Sequence, residues 1–263
     1  MTARLARTLC SALAVLVTAA CSSYYEIPIE TPIRPKLDVS AFQRVLVAGF
    51  ISGGTEDVDG NLETTRLLRS QLRTRSELRV IDADVLPLME VAADGRTEER
   101  PAAEAPANVA AEPASDLPAV IKEDKDLEAF EHVFADVEYW KRVGEEYQQP
   151  LIVTGTVMFA PQARSGIVQR DQEVFDSLGR RRVIPTRTYM ERKGFVLKPR
   201  FIFIDGRTGT VLHSENFREE ILYNANQTTP ALSSYFELMD RLLPSFLSTL
   251  SSQRIKGTRV LLQ

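Results

Sequence analysis

Cysteine is almost missing from this chain. Only Cys10 and Cys21 occur among 263 residues, and Cys10 lies inside an apolar run near the start. If that run is removed, Cys21 stands alone and no intramolecular disulfide can form, even in an oxidising compartment. The fold must then rest on its core, which 44% hydrophobic residues can supply. Histidine is equally scarce. His132 and His213 are far apart and have no thiols to join them, so no zinc-type ligand spacing exists. His132, beside Glu131, reads as a solvated helix-face residue. No serine sits in a G-x-S-x-G elbow. Gly49, Gly53 and Gly54 fit neither dinucleotide nor P-loop spacing, because Thr55 occupies the lysine position; they read as a turn. Asp82 and Asp84 after a short strand read as turn formers. No catalytic, cofactor-binding or metal-ligating residue is therefore predicted, and the expectation is a protein that is not an enzyme.

A membrane-spanning run is also lacking. The longest early apolar stretch, residues 9–20 (LCSALAVLVTAA), is shorter than the roughly 20 residues a bilayer requires. Preceded by Arg4 and Arg7 and ending in small residues, it has the pattern of a cleaved export signal over residues 1–20. Cys21 follows Ala19 and Ala20, an arrangement that resembles the lipobox of bacterial lipoproteins, with Thr18 in place of the usual Leu, Val or Ile. That resemblance implies diacylglycerol on the Cys21 sulfur and a further acyl chain, such as palmitate, on its amine. Two or more chains hold a protein stably on a membrane. Ser22, rather than Asp, resembles the context that permits transfer to the outer membrane, so the expected location is the outer membrane, facing the periplasm.

The net charge of -4 becomes -6 once Arg4 and Arg7 are removed, which gives little claim on nucleic acid. Residues 91–131 hold eleven acidic and four basic residues, whereas residues 164–200 hold ten basic and four acidic. Such asymmetry predicts two surfaces with different partners, or one surface that meets the other. Residues 21–40, proline-interrupted and without a sustained period, read as a lipidated flexible tether. Residues 91–118, rich in Ala, Glu and Pro, read as a disordered insertion. Residues 253–263 read as a C-terminal tail.

Between these segments, residues 41–252 carry the pattern of one domain. Apolar runs at 44–51, 78–81 and 151–159 read as strands, as do 196–205, 211–217 and 218–223. Asn61 is placed to cap a helix reaching Arg75, with Leu62, Leu68 and Leu72 inward. Leu127, Phe130, Phe134, Val137 and Trp140 recur at helical spacing, predicting one helix to about Tyr147. A last helix is expected from Ala231 towards Leu250, burying Leu232, Phe236, Met239, Leu243 and Phe246, with a kink or break at Pro244. The sequence IDGRTGTVL reads as a hairpin. The fold class is α/β (α+β), a single mixed-sheet domain with helices packed on the sheet and a protruding long β-hairpin.

That hairpin, residues 162–194, turns at Ser177-Leu178-Gly179-Arg180. In its first arm one face carries Ile167, Gln169, Asp171, Glu173 and Phe175, and the other Val168, Arg170, Gln172, Val174 and Asp176. Neither is the apolar stripe that a membrane strand needs. Arg170, Arg180, Arg181, Arg182, Arg187, Arg192 and Lys193 make it a candidate docking arm for an acidic envelope protein or an anionic envelope polymer; the equal alternative is a solvated hairpin whose charges only blunt a sheet edge.

The motif order RVLVAGFISG, helix, ELRVIDAD, helix, YQQPLIVTGTVM, FVLKPRFIFIDGRTGTVLHSE and terminal helix resembles the CsgG/TolB-N-terminal group of envelope lipoproteins and domains. That group includes the curli secretion channel and lipoprotein activators of penicillin-binding proteins. The resemblance spans residues 44–252 apart from the acidic insertion. It implies a lipid-anchored, non-catalytic binding or assembly protein in envelope or surface-structure biogenesis. The alternative it implies is a subunit of an oligomeric outer-membrane secretion channel, which leaves homo-oligomer formation open.

Overall fold

The computed structural model describes residues 24–75, 77–98, 121–175, 177–224, 227 and 229–262. Two units are distinguished: residues 36–250, and a unit in which the two end segments pair with each other. The predicted lipidation site Cys21, the signal segment and residues 99–118 of the acidic insertion lie outside the described residues.

Residues 36–250 form an α+β domain around one open mixed sheet. Its strands are β2 (Arg44–Gly54), β3 (Arg79–Val80), β4 (Leu151–Phe175), β5 (Arg181–Asp205), β6 (Val211–Asn216) and β7 (Glu219–Asn224). The order is β3-β2-β4-β5-β6, with β7 also on β5. β2 runs parallel to β3 and β4, and the remaining pairs are antiparallel.

Both faces are covered, which explains why β2 and the start of β4 are continuous apolar runs rather than alternating ones. Odd-numbered Leu151, Val153, Val157 and Phe159 of β4 pack with Phe201 and Phe203 of β5 beneath α1 (Gly60–Arg75) and α6 (Ala231–Leu250). Even-numbered Ile152 and Met158 pack with Ile202 and Ile204 on the opposite face. There they meet α2 (Leu88–Glu98), α3 (Asp124–Glu128), α4 (Glu131–Ala135) and α5 (Val137–Glu146).

Several helix expectations are corrected. The single helix foreseen through 127–147 is three, broken at Phe130 and at Asp136, whose backbone is extended. The Asp136 carboxylate instead caps α5 by accepting the Tyr139 N–H at 2.9 Å. The break lets the indole of buried Trp140 donate to the Val133 carbonyl at 2.8 Å. Asp59, not Asn61, caps α1 by accepting the Leu62 N–H at 2.9 Å. α2 occupies residues 91–98 of the segment read as disordered. α6 continues through Pro244, which lies on its exposed side. Met239, Leu243 and Phe246 are buried as expected, but Leu232 is exposed and Phe236 half-buried, and Tyr235, Leu238, Leu242 and Leu250 complete the buried stripe.

Two polar features hold the layers. The Tyr235 hydroxyl meets Thr64 and donates to the Gly60 carbonyl at 3.2 Å, joining α6 to α1 in the core. In the β5–β6 turn, Asp205 accepts from the Arg207 backbone at 2.9 Å and from its guanidinium at 3.1 and 3.0 Å. Burial alone would raise the Asp205 carboxyl, but these Arg207 contacts together hold it below the usual carboxylate range. Gly209 supplies the left-handed backbone of that turn, with φ +74.

The second unit is a ribbon. β1 (Tyr24–Ile33) pairs antiparallel with β8 (Gln253–Leu262) over ten residue pairs. The segment read as a flexible tether is thus a strand over Tyr24–Ile33, and its partner is the segment read as a tail. Pairing across more than two hundred residues leaves no local signal.

Candidate docking arm

The arm is the outward continuation of β4 and β5. β2 accompanies β4 only as far as Phe159, and β7 accompanies β5 only as far as Arg192. Beyond those points the two strands pair with each other alone, in unbroken register to Phe175 and Arg181. At about 3.3 Å per residue, the twelve residues 164–175 span roughly 40 Å. The turn falls where it was expected, with Gly179 at φ +74.

The register decides what shares a face, since directly opposed residues project to the same side. One face holds Ile167 opposite Tyr189, Gln169 opposite Arg187, Asp171 opposite Pro185, Glu173 opposite Val183 and Phe175 opposite Arg181. Its base adds Lys193 and Glu191. The second face holds Arg164 opposite Arg192, Gly166 opposite Met190, Val168 opposite Thr188, Arg170 opposite Thr186, Gln172 opposite Ile184, and Val174 opposite Arg182.

Charge is segregated by this pairing. Asp171, Glu173 and Glu191 all lie on the first face, where Glu173 pairs with Arg181 and Glu191 with Lys193 at 3.2 Å. The second face carries Arg164, Arg170, Arg182 and Arg192 and has no acidic residue among its paired arm positions. Arg164 reaches Glu220 of β7 at 3.2 Å. Arg170, Arg182 and Arg192 have no acidic partner among the described residues. Arg164 and Arg192 stand directly opposite each other, an unfavourable placement unless an anion lies close by.

The seven predicted residues are therefore not one surface. Arg170, Arg182 and Arg192 share the basic face, Arg181, Arg187 and Lys193 lie on the mixed face, and Arg180 belongs to the turn. Arg164 completes the basic face and was missing from the predicted set. It lies on the same strand as Arg170 and shares its even parity, so alternation along β4 alone places it on that face. Apolar side chains remain exposed on both faces: Ile167 is 71% and Tyr189 67% accessible, with Val168, Val174, Val183 and Ile184 also open.

Nearer the sheet body, on the same side as the basic face, a polar cleft of about 300 Å³ is lined by Asp124, Glu131, Thr156, Lys198, Arg200 and Arg218, among others. Lys198 pairs with Asp124 and Arg200 with Glu131. The end of the acidic segment thus meets the end of the basic one, which is one of the two arrangements the charge asymmetry predicted.

The other sequence candidates are occupied by structure. Around Gly49, Gly53 and Gly54, the Phe50 N–H donates to Asn61 at 2.8 Å, Gly54 to the Ile121 carbonyl at 2.9 Å and Thr55 to the Phe159 carbonyl at 2.8 Å. The amides that would cradle a phosphate are spent on the fold. His132 is half-buried, not solvated, with Nδ1 3.0 Å from the Ala129 carbonyl and Nε2 3.1 Å from the Ala92 carbonyl. His213 lies 3.5 Å from Glu215. Asp82 pairs with Arg73. Among the described residues, no group of three or more His, Cys, Asp or Glu side chains is placed to hold a metal ion. No helix among them is long and apolar enough to cross a membrane.

No protein-family model and no curated protein matches the chain. Among solved structures, it is similar to the lipoprotein GNA1162 of Neisseria meningitidis, at 10% identity and a TM-score of 0.34, over 78% of this chain and 97% of that one. It is also similar to a Helicobacter pylori structure described as a neuraminyllactose-binding hemagglutinin homolog, at 11% identity and a TM-score of 0.32, over 84% and 90% of the two chains. These likenesses assign neither family nor activity.

Proposed function

We propose that this chain is a lipid-anchored protein of the outer membrane, facing the periplasm, that acts by binding rather than catalysis in envelope or surface-structure biogenesis. The anchor is Cys21, acylated after removal of residues 1–20. The element order of residues 44–250 supports kinship with the CsgG/TolB-N-terminal group as part of this reading.

The observation that carries the proposal is the segregated arm. Beyond its base at Arg164 and Arg192, no third strand or helix among the described residues lies against this roughly 40 Å ribbon, and two strands alone are marginal in water, yet it presents four arginines on one face and exposed apolar groups between them. Val168, Val174 and Ile184 interleave with the arginines, which suits an acidic protein surface with apolar patches better than a uniformly charged polymer. A second reading, a channel subunit, draws on arm length alone, since 9–11 residues suffice to cross a bilayer as a strand. Both faces carry charges along their length, which disfavours lipid contact.

Affinity purification of the acylated protein from envelopes of its native host tests the proposal. The triple variant Arg170→Glu, Arg182→Glu, Arg192→Glu should lose its partner, while Arg187→Glu on the mixed face should keep it. An unchanged partner set in the triple variant would reject the basic face. Discrete conductance steps from the purified protein in planar bilayers would establish the channel reading instead.

A further inference from the structure

The β1–β8 ribbon has two outer edges, and its prolines make them unequal. In an antiparallel pair, successive opposed residues alternate between exchanging both backbone hydrogen bonds and directing those groups outward. Pro28, opposite Thr258, and Pro32, opposite Arg254, have no N–H to exchange. Their shared parity places even-numbered residues of both strands in the outward-directed class, as expected for proline at an edge. The outer edge of β1 therefore lacks donors at Pro28 and Pro32. The outer edge of β8 keeps donors and acceptors at Arg254, Lys256, Thr258 and Val260.

The side chains add polarity to that edge. Ile27, Ile29 and Ile33 project to one face and are 36%, 40% and 44% accessible. On the opposite face Glu30 lies 3.5 Å from Arg254 and 3.7 Å from Lys256. β8 contains Arg254, Lys256 and Arg259 and no acidic residue. Gly257 opposes Ile29 with nothing within 4 Å of where its Cβ would be, so the flank of Ile29 towards the β8 edge is open. Two strands alone are marginal, and a third against an apolar face is the usual remedy.

We infer that the outer edge of β8 is a strand-addition site for an extended segment of another protein with alternating acidic and apolar side chains. Its backbone completes the row of β8 that has no strand partner among the described residues, its acidic side chains lie beside Arg254 and Lys256, and its apolar side chains enlarge the isoleucine face. β1 itself has that alternation, with Glu26 and Glu30 on one face and Ile27 and Ile29 on the other. A second copy is nevertheless a poor occupant. Its β1 edge is interrupted by two prolines, and its β8 edge would set like charges side by side. The prolines thus block the head-to-tail addition that would otherwise propagate as a filament.

The test uses the full chain and two synthetic octapeptides, one alternating Glu and Val and the other Lys and Val. The Glu/Val peptide should bind at least tenfold more tightly and slow amide exchange at Arg254, Lys256, Thr258 and Val260, leaving Glu26 and Glu30 unchanged. Thr258→Pro removes an outward donor without touching the seam and should weaken binding at least tenfold. The double variant Arg254→Glu, Lys256→Glu should reverse the peptide preference, which decides the matter if Thr258→Pro disturbs the ribbon. Equal binding of both peptides, protection on the β1 edge, or an unreversed preference in the double variant would overturn the inference. So would concentration-dependent self-association that protects β8.

Discussion

The inner and outer halves of β4 belong to one strand in one unbroken register with β5, yet they live in different surroundings. Residues 151–159 are buried on both faces, whereas residues 164–175 are exposed on both. The inner half is held by β2 and two helical layers, and the outer half by β5 alone. Burial on two faces forbids charge, so the inner half reads LIVTGTVMF. Freedom on two faces permits charge, and the outer half uses it to make one basic and one mixed surface. The difference shows that strand continuity and strand burial are separate properties: one register runs through a half packed on both faces and a half exposed on both.

The largest effect expected from breaking this contrast is at Phe201. Its ring is fully buried and meets Phe50, Phe217 and Phe246 at centroid distances of 5.8, 5.6 and 4.8 Å. Phe201→Ala should cost about 3–5 kcal/mol in denaturant unfolding. Ile167→Ala on the arm should change the same midpoint by less than about 0.5 kcal/mol.

Two glycines of β4 sharpen it next. Gly155 has φ +141, and a Cβ there would lie 1.8 Å from the Arg200 carbonyl oxygen. Gly155→Ala should therefore destabilise by more than about 1 kcal/mol. At Gly166, where a Cβ meets nothing within 4 Å, alanine should be neutral or slightly stabilising. Similar melting temperatures for the two variants would contradict the contrast.

Removing the Tyr235 hydroxyl, in Tyr235→Phe, should cost about 1 kcal/mol because Thr64 and Gly60 lose a buried partner. The smallest effect is in acid. Burial pushes the Glu215 carboxyl up, but hydrogen bonds from Lys36, Thr249 and His213 together hold it below 4.5, and Asp205 is held below 3.8. A depressed folded-state value means that stability is fully present above the unfolded value and is lost as pH falls through the folded one. Thermal melting between pH 5 and pH 2 should show that decline in the body, and Glu215→Gln should flatten part of it.

Much of the body was legible because apolar runs and turn residues act locally. The strand at 44–51, the start of β4, the Ser177 to Arg180 turn and the α6 limits are all read from neighbours in sequence. The three-helix break was not, because Leu127, Phe130, Phe134 and Trp140 keep helical spacing across both interruptions, and only Asp136 hints at a cap. The β1–β8 ribbon was hidden for the opposite reason. Pro28 and Pro32 signal irregular chain locally, and only the distant partner turns them into edge residues. For the arm, the first strand already separated Asp171 and Glu173 from Arg170. The face of each return-strand arginine depended on the length of the connection between the strands, which the register sets at five residues, 176–180.

Amide hydrogen exchange along Leu151–Phe175 measures the contrast directly. In the purified protein, residues 151–159 should exchange slowly and residues 164–175 fast. In native envelopes the outer residues should slow at least tenfold, but not in the Arg170→Glu, Arg182→Glu, Arg192→Glu variant. Uniform protection along β4 in the purified protein, or no slowing of the outer half in envelopes, would contradict a docking arm that awaits a partner on its basic face.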